Sequence, residues 1–267
     1  MEPVSGLSGG SGSGIGLETG FGTGFVLIAA VVYLVAGLVK GTIGLGLPTA
    51  AVSLMAVVAP TRTAIALAIV PMVLLNAWQI HRSGQVRATW HRFRRLALTM
   101  SAGIALMSLV AARVPVSVIT LALGGAITLF ALTGLLGTVP RLPERLDSSA
   151  QAIAGLSAGV LGGLAGIWAP PIVVYLSAIR VDKDAFVRAS GLLLALGSVV
   201  LATSYAANGL LDGRQASLGL VLVVPALIGY SLGERMRARL DGDAFRRTVL
   251  LFFLLMGLNF VRRGVGF

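Results

Sequence analysis

The chain is predicted to be an all-α polytopic membrane protein built from two inverted repeats of about five hydrophobic segments each. Three observations predict that class. Of its 267 residues, 56% are hydrophobic and 12% charged, about half the charge of an ordinary soluble domain, and the mean hydropathy is +0.92. The apolar residues form long runs, unlike the short alternating strands of a membrane barrel. Finally, one pattern of glycine and proline occurs twice, 122 residues apart.

The net charge of +11 would ordinarily suggest a nucleic-acid partner. Here the basic residues sit in short runs between apolar stretches, which excludes a soluble nucleic-acid binder. No cysteine is present, so disulfides, thiolate metal sites and cysteine nucleophiles are excluded. With only two histidines besides, a zinc site is not expected, nor is any cofactor.

Residues 1–22 open the chain as a Gly/Ser-rich tail without lysine or arginine, which lacks the positive start of a signal peptide and reads as disordered. The first repeat is placed at 23–138, with apolar segments at 23–40, 44–59, 63–80, 95–112 and 115–138. A cytoplasmic linker covers 139–149. The second repeat, 150–267, has segments at 150–165, 168–179, 186–207, 216–233 and 247–262. A full span needs about 20 residues. The first two segments of each set are short and cut by glycine and proline, so each pair is either two tilted spans or one re-entrant hairpin.

Basic residues are retained on the cytoplasmic side. With the stretch after the third segment placed inside (Arg82, Arg87, Arg92, Arg94 and Arg95), alternation puts fifteen of the 21 basic residues inside, including those at 141–145, 180–188 and 235–247. Arg62, Arg113, Arg214, Arg262 and Arg263 fall outside, and both termini are predicted on the non-cytoplasmic side of a bacterial-type inner membrane. An odd number of crossings in each half makes the halves inverted copies.

The repeated punctuation is Gly41-Thr42-Ile43-Gly44-Leu45-Gly46-Leu47-Pro48 in the first half. In the second it is Gly163-Leu164-Ala165-Gly166-Ile167-Trp168-Ala169-Pro170. Proline removes a backbone donor and glycine relaxes the chain, so a helix opens there. Polar backbone at membrane depth is tolerated only where protein buries it or a cavity wets it. Paired breaks at corresponding places are therefore the best pointer to a transport site, and a helix restarting after a break offers N–H groups and a positive dipole end to an anion. Close packing of small residues is the plainer explanation for each glycine.

The acidic residues all lie in the tail or in loops, so a mid-membrane carboxylate relay and a paired-carboxylate hydrolase are both missing, and no enzyme is predicted. His81 and His91 fall in the basic stretch. Lys40 is the one basic residue inside an apolar segment; with no acid nearby in sequence, either a bound anion partners it or it snorkels to the interface. Arg62 and Arg188 both open a third segment, 126 residues apart, as a candidate symmetric pair. Thr42 in the break, Asn76 and Gln79 on one helical face, Ser198 and Ser204 opposite, and Trp168 in the second break are neutral polar candidates. Trp78, Trp90 and Tyr230 read as interface anchors.

The stretches Gly37–Pro48 and Gly159–Pro170 resemble the glycine-rich signatures of the sulfite exporter TauE/SafE family, and the resemblance extends over everything after the tail. Trp168 and Ala169 stand where that family commonly has glycine. The resemblance implies an inner-membrane permease for sulfite, sulfonates or other small organic anions. The expected function is thus export of a small anion, most simply sulfite or an organosulfonate, by alternating access around the paired breaks. The candidate substrate-binding set is Lys40, Gly41, Thr42, Gly44, Gly46, Pro48, Arg62, Asn76, Gln79, Gly163, Gly166, Trp168, Pro170 and Arg188. Expected partners are the small anion and the lipid bilayer, with room for a homo-oligomer. A carrier of short carboxylates and a non-transporting membrane scaffold are the two alternatives.

Overall fold

The computed structural model describes residues 21–43, 46–83, 85–137, 140–237 and 242–266. The Gly/Ser tail up to residue 20 and the candidate Gly44 lie outside the described residues. Among those described there are ten α-helices and no strand. They are α1 (Thr23–Ile43), α2 (Leu47–Val58), α3 (Thr61–Ser83), α4 (Val86–Ala111), α5 (Val116–Leu136), α6 (Asp147–Ala165), α7 (Ala169–Ala178), α8 (Lys183–Ala207), α9 (Gly213–Arg237) and α10 (Gly242–Val265), with a 3-10 turn at Glu144–Leu146 before α6.

Seven helices (α1, α3, α4, α5, α6, α8 and α9) are long and apolar enough to cross a membrane. The short pair, α2 with 12 residues and α7 with 10, reach only about 18 and 15 Å at 1.5 Å per residue, against a hydrocarbon core of about 30 Å. Neither can span alone. Each restarts the chain inside the bundle: α2 has Leu47–Ser53 buried, and α7 has Ala169–Ile172 buried. Outward faces carry bare leucine and valine, such as Leu106, Leu109, Leu220, Val224 and Leu255, as a lipid-facing surface requires.

The 122-residue spacing sets the helix ends as well as the motifs. α1 ends at 43 and α6 at 165, α2 starts at 47 and α7 at 169, and α3 starts at 61 and α8 at 183. This corrects the pairing of Arg62 with Arg188. Arg62 is the second residue of α3, whereas Arg188 is the sixth of α8, so the two are not at equivalent positions. Two boundaries also move. α4 begins at Val86, nine residues before its apolar segment, so His91 and the arginines from Arg87 to Arg95 are helical, and His81 belongs to α3. α6 begins at Asp147, inside the stretch expected as linker.

Contacts between helices give their directions. Gly37 meets Ala226 and Gly41 meets Tyr230, so α1 runs parallel to α9. Gly103 meets Gly159 and Met107 meets Gly163, so α4 runs parallel to α6. Gln79 meets Gly191 and Asn76 bonds Leu194, so α3 and α8 are antiparallel. Leu121 meets Gly264 and Gly134 meets Leu250, so α5 and α10 are antiparallel too. Lys40 near the end of α1 bonds residues near the end of α3, and Arg62 at the start of α3 reaches the end of α4. It follows that α1 begins and α10 ends on the same face of the bundle. The other face gathers Arg87, Arg92, Arg94, Arg95, Arg141, Arg145 and Arg235, and is called the basic face below.

Local chemistry explains the helix starts. Asp182 caps α8, its Oδ1 accepting the Ala185 N–H at 2.7 Å. At α9, Asp212 Oδ1 accepts the Gln215 N–H at 2.7 Å while Gln215 Oε1 accepts the Asp212 N–H at 3.1 Å, a reciprocal capping box. The starts of α2 and α7 differ. Both have proline in the first turn and no side-chain cap, which leaves their first backbone donors unclaimed by any side chain.

Candidate anion site at the helix breaks

Lys40 sits three residues before the end of α1, and its side chain turns inward. It is 1% exposed, which rules out snorkelling to the interface. Its Nζ donates to Asn76 Oδ1 at 2.8 Å and to Gln79 Oε1 at 2.9 Å. Both acceptors are neutral amide oxygens. An ammonium carries three donors, and a buried charge costs several kcal/mol unless an opposite charge compensates it. The described surroundings of Lys40 supply hydrogen bonds but no such charge. Asn76 is itself 1% exposed, and its Nδ2 donates to Leu194 O on α8 at 3.2 Å, which fixes its amide orientation and aims Oδ1 at Lys40.

The second break is built around Trp168. Gly166 ends α6 with φ +69° and donates its N–H to Gly162 O at 2.9 Å. That left-handed conformation strains any residue with a side chain, and a Cβ there would also lie 2.9 Å from Ile65 Cγ2. Trp168 then serves as the N-cap of α7 and is 1% exposed. Its ring lies against Gly162 and over Gly197, where a Cβ would stand 2.6 Å from Nε1. Among the described residues the indole Nε1 has no hydrogen-bond partner. A buried donor left in this state costs about 1–3 kcal/mol.

One face of α8 joins the two breaks. Gln79 lies against Gly191, Asn76 bonds Leu194 O, and Trp168 covers Gly197. These positions are three residues apart, so they share a face and cover about 9 Å of axis. Leu194 is the twelfth of the 25 residues of α8. The cation and the unpartnered indole donor therefore flank the middle of a membrane-length helix.

The other candidates separate into groups. Gly46 is the N-cap of α2 with φ +95°, against Phe130 and Val39; it and Pro48 shape the first break as Gly166 and Pro170 shape the second. Gly41 and Gly163 serve packing: a Cβ on Gly41 would overlap Tyr230 O, and one on Gly163 would meet Met107 Cβ at 2.5 Å. Thr42 Oγ1 donates to Leu38 O and Val39 O of its own helix, and Ser198 Oγ likewise to Ala195 O. Arg188 is half-buried on α8, one turn before Gly191.

Arg62 closes a helix end. Its Nη2 donates to the carbonyls of Ala111, Ala112 and Val114 at 3.2, 3.0 and 2.7 Å, oxygens at and beyond the end of α4 that have no partner within that helix. Arg62→Ala is expected to lower stability by about 1–2 kcal/mol, read as a fall in Tm, while leaving anion affinity unchanged. A selective loss of affinity at unchanged Tm would return Arg62 to the site.

Two buried donors escaped the sequence reading. Tyr33 Oη on α1 and Thr49 Oγ1 in the first turn of α2 are 0% exposed and have no partner among the described residues. Tyrosine in an apolar run reads as packing. Thr49 could have been noticed, since it follows Pro48 directly in the restarting helix.

The described helices make a multi-pass membrane bundle with a buried lysine beside the first helix break. Residues 27–260 match the family model described as Sulfite exporter TauE/SafE. The chain belongs to that family, one of membrane exporters of sulfite and related anions. No curated protein and no solved structure matches the chain.

Proposed function

We propose that the protein moves a small oxygen-bearing anion, sulfite or an organosulfonate, across the membrane by alternating access about the two breaks. The observation that carries this reading is Lys40, a fully buried lysine whose partners among the described residues are neutral amide oxygens. The anion supplies the missing opposite charge. Asn76 and Gln79 hold Nζ in place, Trp168 Nε1 donates to a second oxygen of the substrate, and the uncapped first turn of α2 contributes backbone N–H groups and the positive end of its dipole. Equivalent third and fifth helices run in opposite directions, which supports inverted halves that rock against each other. The basic face is assigned to the cytoplasm from its arginines.

Thermal shift with sulfite, thiosulfate, sulfoacetate, taurine and lactate tests the ligand. Stabilisation follows RT ln(1 + [L]/Kd), about 2.7 kcal/mol at 100 times Kd. An oxidised-sulfur anion is expected to raise Tm and to be carried into liposomes. Trp168→Phe keeps an aromatic ring, smaller than indole, and removes the donor, so the ligand shift is expected to shrink by more than the fall in basal Tm from the space left behind. A shift with lactate alone would replace the substrate class with short carboxylates. If no anion shifts Tm and none crosses the liposome membrane, the transport reading falls and a scaffold role replaces it.

A further inference from the structure

The acidic side chain with the most described partners lies away from the breaks. Asp147 begins α6 on the basic face. Its Oδ1 accepts the Tyr175 Oη–H at 2.6 Å, and its Oδ2 accepts Arg92 Nη1 at 2.7 Å and Gln151 Nε2 at 3.0 Å. One carboxylate thus ties α4, α6 and α7 together. Tyr175 is the seventh of the ten residues of α7, the helix whose first residue follows Trp168.

The surroundings are shaped for this tie. α4 leaves helical geometry at one residue, Phe93 (φ −113°, ψ 15°), and there Phe93 packs edge-on to Tyr175 with ring centroids 6.3 Å apart. The kink also places Arg92 opposite Asp147. Beyond α5, the Leu142 N–H donates to Ala178 O, the last residue of α7, at 2.9 Å. α7 is therefore held at its basic-face end by Asp147 and by Leu142, and at its other end, among the described residues, by the burial of Ala169–Ile172 and the turn Gly166–Trp168 with no polar side-chain tie. The equivalent end of α2 bears exposed Val57 and Val58, followed by Ala59 and Pro60, with no polar tie among the described residues. A cleft of about 310 Å³ opens over the tie, lined by Arg92, Arg141, Leu142, Glu144, Asp147 and Ile179. Its two arginines and two carboxylates balance, so the cleft is no anion site; it admits water to the outer side of the Asp147 cluster.

We infer that Asp147 is a positioning residue for transport: it locks α7 against α4, and its release from Arg92 and Tyr175 is the step that lets α7 move and opens the Trp168 break toward the basic face. The inference rests on the transport reading above. Burial decides the geometry. Trp168 and Ala169 are 1% and 3% exposed, so no route from the basic face reaches the second break while α7 is docked. Sliding α7 breaks the charge-assisted Tyr175–Asp147 bond and the Leu142–Ala178 backbone bond at once, which makes docked and released arrangements discrete alternatives.

The absence of cysteine gives a clean background for the test. Ala169→Cys places one thiol beside Trp168, and labelling by a membrane-impermeant maleimide is followed in vesicles of each orientation. Arg145→Cys, exposed on the basic face, reports which orientation presents that face. Adding Asp147→Asn, which keeps the shape and loses the charge, is expected to speed labelling of the thiol beside Trp168 from the basic face about ten-fold, the factor matching loss of a charge-assisted hydrogen bond, with no change from the opposite face. Asp147→Glu is expected to stay near the parent rate. Tyr175→Phe, which removes one bond and keeps the ring contact, is expected to give a smaller rise and serves if Asp147→Asn does not fold. An unchanged rate in Asp147→Asn or Tyr175→Phe, or a rise from both faces alike, overturns the inference and leaves Asp147 a structural tie. Labelling needs no substrate, so a parent protein that carries no anion defeats the transport reading without altering this readout. A parent that transports while labelling stays flat defeats only the lock.

Discussion

Lys40→Met is expected to cut anion-induced stabilisation sharply while the protein remains folded. Methionine fills a similar volume, and exchanging a buried charge for an apolar group is often neutral or favourable. The change leaves Gln79 half-buried, and Asn76 Oδ1 buried without its lysine donor at a cost of about 1–3 kcal/mol. The two effects offset, so Tm without ligand should move little. Ligand affinity should fall about ten- to hundred-fold, which is what one charge-assisted hydrogen bond of 1.5–3 kcal/mol corresponds to. Asn76→Asp probes the same idea from the other side. It places a carboxylate where an amide oxygen now stands 2.8 Å from Nζ, and a built-in counter-ion should compete with the substrate. It is therefore expected to suppress the ligand shift, while the loss of the bond to Leu194 O offsets the new ion pair in the Tm without ligand. Calorimetric titration of both variants with the stabilising anion measures this. If both bind it as tightly as the parent, Lys40 is not its partner.

The largest effect on folding is expected at the crossing of α1 and α9. Gly37, Gly41, Gly229 and Gly233 form its floor, and a Cβ on Gly229 would overlap the Leu34 carbonyl while one on Gly37 would overlap that of Ala226. The obstructing atoms are backbone, so no side chain can rotate aside. Gly229→Val should force the helices apart and cost several kcal/mol, beyond the 1–3 kcal/mol of ordinary overpacking, observed as loss of a monodisperse peak after detergent extraction. Gly125→Ala is the matched control: nothing lies within 4 Å of its added Cβ, and helix propensity favours alanine by about 0.5–1 kcal/mol. Retention of a normal elution profile and Tm by Gly229→Val would show that the close approach of α1 and α9 is not required.

The adjacent glycines Gly124 and Gly125 show where sequence reading stops. A Cβ on Gly124 would stand 2.5 Å from Val261 N on α10, whereas Gly125 faces open space. Both look alike in an apolar run, because which face of α5 meets α10 depends on residues more than a hundred positions away. The arginine stretch 87–95 fails for another reason. Apolar periodicity is the primary local signal for a helix, and here the start of α4 is polar; the kink at Phe93 packs on Tyr175, a partner from another helix. Lys40, Asn76 and Gln79 stood out individually, as polar groups in apolar segments must. That one ammonium binds both amides could not be read from spacings of 36 and 39 residues.

Hydropathy and punctuation were sufficient for the class of protein, the two breaks and the 122-residue spacing that aligns the ends of α1 with α6 and the starts of α2 with α7. These are properties of short windows: an apolar run must be a helix in lipid because its backbone has no other partner, and glycine or proline must interrupt it where they fall. Folding had to settle the partners. It turned Lys40 inward, gave Arg62 to the end of α4, left Trp168 Nε1 unpaired, and gathered Arg92, Gln151 and Tyr175 on Asp147. Those outcomes depend on which helix faces which, and that is decided by packing summed over the whole bundle, where no single window of sequence carries the sign.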